Sequence, residues 1–324
     1  MSSIYEKAHL EVNGVQQGMF LTGANTSKPV LLFLHGGPGM PTYFLNAVYP
    51  TGLDEIFTVC WWEQRGSGLS YSADLPRETI TVEQLLLDAE AVTNAMRRRF
   101  GQEKIYLMGH SWGSFLGIQL AARAPELFHA YIGVAQVSYQ LRSEVQAYEY
   151  MLQQFKLRGE TRMVGRLEAA RPTLSAPLPP AYDRLRDEAM HRLGIGTTRD
   201  MRSVITGVFL RSWLSRAYTL PEKLRLWRGK FLSKSTLWHE FLATDLTQRI
   251  TRLELPVYLC SGSYDYTVCY AEAKAYFEKL NAPLKGFYTF EHSAHSPMHE
   301  EPARMRQILR EDVLSGTNRL ADTG

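Results

Sequence analysis

Short apolar runs alternate along this chain with stretches whose apolar residues recur at helical spacing. Pro29 to Leu34 contains the continuous run Val30-Leu31-Leu32-Phe33-Leu34. Phe57 to Trp62, Ile105-Tyr106-Leu107-Met108, Ala130 to Ala135, Pro256 to Cys260 and Gly286 to Phe290 repeat it. Runs of this length, bounded by turn residues, predict buried strands. Ahead of them, Val12 and Gln17 to Leu21 predict a hairpin closed by Asn13-Gly14. Thr81-Val82-Glu83-Gln84 reads as a capping box. It opens a helix with Leu85, Leu86, Ala89, Val92 and Met96 on its apolar face, closed by Arg97-Arg98-Arg99 and Gly101. Further helices are predicted over Phe115 to Ala122, Ala271 to Leu280 and Ala303 to Val313, with the final ten residues frayed. Strands separated by helices imply an α/β fold with a mostly parallel sheet covered on both faces.

The alternation stops near residue 137 and resumes near residue 251. Between them the pattern is helical and rich in Arg, Leu and aromatic residues, broken by Arg171-Pro172 to Pro179-Pro180 and by Gly194-Ile195-Gly196. The expected organisation is one α/β core in two parts, residues 1–136 and 251–324, interrupted by a helical cap over residues 137–250. Charge follows this division. The net +3 of the chain conceals 19 Lys and Arg against 11 Asp and Glu in residues 137–250, and a net negative remainder. A solvated Arg-rich helix face explains such a block; a basic rim favouring anionic substrates explains it too. No basic run is interleaved with aromatics in a nucleic-acid module, so nucleic acid is not an expected partner.

Composition adds bounds. The chain has 324 residues, 45% hydrophobic and 21% charged, enough for a large core and unlike a disordered chain. Cys60, Cys260 and Cys269 are odd in number and form no C-x-x-C, which argues against a disulfide framework or zinc site. No apolar stretch reaches transmembrane length and the N-terminus lacks a signal-like apolar region. A soluble cytoplasmic protein is the expectation, with no membrane partner.

The chemistry centres on Gly109-His110-Ser111-Trp112-Gly113. Strand, G-x-S-x-G turn and helix form the layout that lifts a serine hydroxyl above a sheet as a nucleophile. The N–H of Trp112, at the start of the following helix, is free to meet an oxyanion. The partners follow in the order Ser, Asp, His. Asp265, in Ser261-Gly262-Ser263-Tyr264-Asp265-Tyr266, lies past a buried strand; Asp245 is its rival. His295, in Glu291-His292-Ser293-Ala294-His295-Ser296-Pro297, follows the last strand, with His292 and His299 as neighbours. The second oxyanion donor is expected from His35-Gly36-Gly37-Pro38-Gly39, where glycines admit close approach of a carbonyl. The N–H of Gly37 is assigned to it, and Gly36 to the substrate path.

These motifs resemble the prolyl iminopeptidase family of α/β-hydrolases. The resemblance rests on His35-Gly36-Gly37-Pro38-Gly39, Trp62-Glu63-Gln64-Arg65-Gly66-Ser67-Gly68-Leu69-Ser70, Gly109-His110-Ser111-Trp112-Gly113-Ser114, and Ser293-Ala294-His295-Ser296-Pro297 with Glu301-Pro302. It spans the α/β frame and implies the α/β-hydrolase fold with an inserted helical cap. Glu63 stands where the family commonly has Asp. The family's cap segment resembling E-N-H-Y-F, whose glutamate binds a free amine, is not found in residues 137–250, where Glu144, Glu149 and Glu222 are the available acids.

The expected function is a serine hydrolase of an ester or amide bond in a small, partly apolar substrate. Ser111 is its nucleophile, His295 its base and Asp265 its orienting acid. Trp213, Trp227 and Trp238 are candidate pocket-lining residues. No metal or organic cofactor is implied; the partner is a small-molecule or short-peptide substrate. An aminopeptidase of the prolyl iminopeptidase type and a ligand-binding protein that retains the triad are the alternatives.

Overall fold

The structure, a computed structural model, describes residues 2–323. The chain opens with a hairpin, β1 (Ile4–Val12) and β2 (Val15–Gly23). Asn13 and Gly14 both take positive φ, 48° and 77°, as a two-residue turn matched to strand twist requires. Then come β3 (Val30–Leu34), β4 (Thr58–Trp62), helix α1 (Val82–Phe100), β5 (Ile105–His110), α2 (Trp112–Arg123) and β6 (Phe128–Val134). After an interruption follow β7 (Val257–Gly262), α9 (Tyr270–Lys279), β8 (Lys285–Phe290), the short α10 (Pro297–Glu300) and α11 (Pro302–Ile308). The interruption holds α3 (Gln140–Leu157), α4 (Thr161–Glu168), α5 (Pro180–Leu193), α6 (Leu210–Leu214), α7 (Leu220–Ala243) and α8 (Leu246–Arg249).

The eight strands form one sheet in the order β1-β2-β4-β3-β5-β6-β7-β8. The hairpin pairs antiparallel and the other strands run parallel. β3 pairs with β4 on one side and β5 on the other, so the strand order reverses at β3. Ligand crevices of open α/β sheets form beyond the carboxyl ends of strands at such a reversal. The loops after β3 and β5 carry Gly36-Gly37 and Ser111.

Continuous apolar strands are buried on both faces because helices cover both. One apolar cluster joins α1, α2 and α9 to the sheet; the other packs α11 and the segment after β3 against its opposite face. At the start of α1, Thr81 Oγ1 accepts the Gln84 N–H at 3.1 Å. The reciprocal capping bond gives way to a stronger partner: Gln84 Nε2 donates to Asp88 Oδ1. Asp88 is fully buried and also receives Arg65 Nε at 2.6 Å and Gln17 Nε2 at 2.7 Å, pinning hairpin, loop and helix together.

One expectation changes. Residues 315–323 do not fray. The Asp312 carboxylate accepts Thr317 Oγ1 and the N–H groups of Arg319 and Leu320, and Asp322 receives the Thr289 N–H. The inserted helices divide between two cores. α3, α4 and α5 share an apolar core of their own, including Met151, Phe155, Leu167 and Tyr182. α7 instead joins the main core. Phe241 packs edge-on to Trp112 and Phe115 at 5.1 and 5.2 Å between ring centres. Gly229 lets α7 lie on the loop after β4, where a Cβ would stand 2.7 Å from the Gly66 carbonyl oxygen.

Candidate active site

Ser111 stands at the β5–α2 turn with φ 57° and ψ −122°, a strained pose for a residue with a Cβ. Its surroundings enforce that pose. The Ser111 N–H donates to Val134 O, and the Ser114 N–H to Ser111 O. A Cβ on Gly113 would collide with the Leu34 carbonyl, and one on Gly109 with the Gly113 backbone. Glycine is required at both places for α2 to start so close to β3 and β5. Trp112 N–H, at the first turn of α2, has no carbonyl four residues behind it within the helix.

Asp265 lies in the turn after β7, 1% exposed. Its Oδ1 accepts the N–H groups of Thr267 and Val268, both at 2.9 Å, which aims Oδ2 at His295. His295 Nδ1 is 2.9 Å from Asp265 Oδ2. His295 lines the same cavity as Ser111, Gly36 and Gly37. The rivals are engaged otherwise. Asp245 caps α8 through Thr247. His292 is exposed, and His299 Nδ1 bonds the Tyr49 carbonyl.

The loop after β8 is clasped by two adjacent glutamates. Glu300 Oε2 accepts the N–H groups of Ala294 and Ser296, the residues on either side of His295, and Oε1 accepts the Arg199 N–H. Glu301 Oε2 accepts the His292 N–H and the Ser293 hydroxyl. Burial pushes the Glu300 carboxyl up to about 7, against the pull of its three N–H donors. Three histidines around the site are held neutral by burial: His35 and His299 are lowered to about 4, and His110 falls well below its usual value.

Gln64 joins the two glycine loops. Its Nε2 donates to the His35 carbonyl at 3.0 Å, and its Oε1 accepts the Trp112 indole N–H at 2.9 Å. Sequence reasoning did not find the roles of Gln64, Glu300 or Asp88; each acts across more than one segment, and adjacency in sequence carries no signal for that. Glu63 is buried, accepts the Leu69 N–H at 2.6 Å and receives the Tyr218 hydroxyl, linking the loop after β4 to the start of α7.

A cavity of about 220 Å³, partly open to solvent, lies over this edge of the sheet. Trp238 lines it, as expected, but Trp213 and Trp227 do not. Trp227 turns its indole N–H to Ser212 Oγ and packs on Phe209, which Trp213 also contacts. Position on α7 decides this. Residue 227 shares the helix face of 230, 234 and 238 but stands about three turns before 238, where it meets Ser212 and Phe209 instead. The acids weighed for amine binding also lie off the cavity. Glu144 is buried beneath Arg186, Glu149 is exposed, and Glu222 caps α7 and pairs with Lys7.

Sheet order, strained serine turn and histidine loop together define a class, and the comparisons with known proteins agree. The family model for the alpha/beta hydrolase fold matches residues 29–302, and the chain belongs to that family. Within it the chain is of the prolyl iminopeptidase type. It is 30% identical over 311 residues to a Bacillus subtilis (strain 168) protein named a probable aminopeptidase, covering 95% of this chain and 96% of that one. It is 25% identical over 305 residues to the proline iminopeptidase of Lactobacillus delbrueckii subsp. lactis, covering 91% and 93%. The solved proline iminopeptidase of Mycobacterium smegmatis superposes with a TM-score of 0.67 at 20% identity, covering 96% and 98%, a likeness of fold. The protein is a hydrolase. No helix among the described residues is long and apolar enough to cross a membrane.

Proposed function

We propose that this hydrolase cleaves an ester or amide bond of a small, partly apolar substrate through an acyl-enzyme on Ser111. The observation that carries this reading is the 2.9 Å bond from His295 to the doubly anchored Asp265, in the cavity that Ser111 also lines. His295 takes the hydroxyl proton as Ser111 attacks, and Asp265 holds the imidazole tautomer and stabilises the imidazolium. The Gly37 and Trp112 N–H groups hold the oxyanion, each worth about 10²–10³ in rate. The leaving group receives the proton, and water then cleaves the acyl-enzyme with His295 as base. In this reading residues 137–250 act as a cap over the α/β core of residues 1–136 and 251–324, and Gly36 and Trp238 border the substrate. The protein needs no cofactor for this chemistry.

Release of N-terminal residues from short peptides is the second reading. Relatives named as a probable aminopeptidase and a proline iminopeptidase favour it. Fluorophosphonate labelling of wild type and Ser111→Ala tests the common mechanism. Wild type is expected to label and the variant not; equal labelling and turnover overturn it. Proline arylamides against short-chain esters then separate the readings, since an absolute demand for a free amine supports the peptidase.

A further inference from the structure

Two inserted helices present charged faces to the cavity. On α5 the lining residues are Asp183, Arg186 and Asp187; on α7 they are Lys230 and Lys234, with Trp238 one turn on. Their spacings of three and four place each set on one helix face. Most of these charges are already engaged. Lys234 Nζ is 2.7 Å from Asp183 Oδ2, a bond that ties the two helices together. Arg186 Nε is 2.8 Å from the fully buried Glu144, and its Nη1 is 3.1 Å from Asp187.

Lys230 is the exception. No carboxylate lies within 4.0 Å of its ammonium and no hydrogen bond engages it among the described residues; it rests 4.8 Å from the centre of the Trp227 ring. Burial lowers its pKa, with Asp187 opposing and Lys234 adding to the effect. Arg186, 8% exposed, also keeps one buried guanidinium nitrogen, Nη2, without a partner. An ammonium carries three donors, so Lys230 retains unused donors on the wall of the cavity that holds Ser111, while the free Arg186 nitrogen is enclosed by protein beside it. Half-buried cations with open donors are costly unless an acceptor arrives. A carboxylate supplies two acceptor oxygens and the opposite charge. An amine fits less well, because Asp183 and Asp187 already serve cations.

We propose that this wall is a subsite for a carboxylate carried by the substrate, held by Lys230 with Arg186 beside it. The inference rests on the acyl-hydrolase reading, and it gives the basic inserted segment a purpose: selecting acidic substrates.

The test compares monomethyl glutarate, methyl pentanoate and methyl 5-aminopentanoate, which share a chain length and differ in the terminal group. Hydrolysis is followed by pH-stat in wild type, Lys230→Met and Lys230→Arg. The expected result is a wild-type preference for the acid over the neutral ester. Lys230→Met lowers that preference about 10- to 100-fold, the loss of one charge-assisted hydrogen bond, mainly through KM. Lys230→Arg retains most of it. An unchanged preference in Lys230→Met, or a wild-type preference for the amine, overturns the subsite. Calorimetry with glutarate on Ser111→Ala reads the subsite without turnover. Binding that disappears when Lys230→Met is added supports it, and absence of binding overturns it. Continued turnover of the esters by Ser111→Ala overturns the acyl-enzyme reading instead, so the two failures are distinct.

Discussion

Ser111 and Lys230 face one cavity, but they are held there by different means. Ser111 is positioned by backbone. Its turn is locked between β5 and α2, its N–H is bound to Val134, and two glycines are required around it by carbonyl contacts. Lys230 is positioned by a side chain on a helix face, and the neighbouring charges are tied by ion pairs between long side chains. Backbone-determined loops tolerate little substitution, because a misplaced Cβ meets main chain that cannot move. A charged helix face can exchange residues while the helix stays in place. The reacting groups therefore sit on the rigid region, and the groups proposed to choose the substrate sit on the adaptable one.

The largest expected effect breaks the rigid side. Asp265→Asn is expected to lower kcat on the order of 10³–10⁴-fold, because an amide donates as readily as it accepts and no longer fixes the imidazole tautomer. Circular dichroism is expected to stay close to wild type, and a loss under tenfold would remove Asp265 from the mechanism. Glu300→Ala is the next step down. It frees the three N–H groups that hold the His295 loop to the 195–199 segment, and kcat is expected to fall about tenfold with KM little changed. Steady-state kinetics on a short-chain ester separate the two parameters, and a change in KM alone would deny a positioning role.

Glu63 sharpens the comparison, since it joins the two regions through Tyr218. Burial raises its carboxyl to about 7 from 4.5, against the Tyr218 and Leu69 bonds that pull it down. The native state thus binds the proton more tightly than the unfolded chain. Its contribution is fully present below about 4.5 and is lost as pH rises through about 7. Glu300, raised to the same range, acts with the same sign. Glu63→Gln is expected to flatten Tm across this window by the equivalent of about 3 kcal/mol at most. Melting curves at closely spaced pH values check it; a slope equal to that of wild type would count against the raised value. The smallest effect distinguishes two tryptophans. Trp238→Ala is expected to raise KM about three- to tenfold, while Trp213→Ala leaves it within about twofold. Equal effects would show that the cavity is not bounded as described.

Local signals made much of this protein legible. The apolar runs placed β3 through β8 to within two or three residues, because strands buried on both faces have almost no polar positions. Asn13-Gly14 identified the hairpin, since its turn demands two positive φ angles. Gly109 to Gly113 identified the strained serine for the same kind of reason. The geometry then set Asp265 and His295 together, left Asp245 and His292 apart, and tied His299 to the Tyr49 carbonyl.

What only the tertiary structure decided lies between segments. Whether Trp213, Trp227 or Trp238 reaches the cavity depends on how far along α6 and α7 each stands once α7 is laid on the loop after β4, which Gly229 permits. The composition of residues 137–250 recorded an excess of positive charge without saying which cations are paired. Pairing is a property of distances between α3, α5 and α7, and Lys230 became distinctive only when Asp183, Asp187 and Glu144 were seen to be occupied. Hydrophobic periodicity and turn chemistry act over a few residues, so the chain carries them openly. Charge compensation and the clasp of Glu300 on the His295 loop depend on side chains brought together by folding, and they exist only in three dimensions.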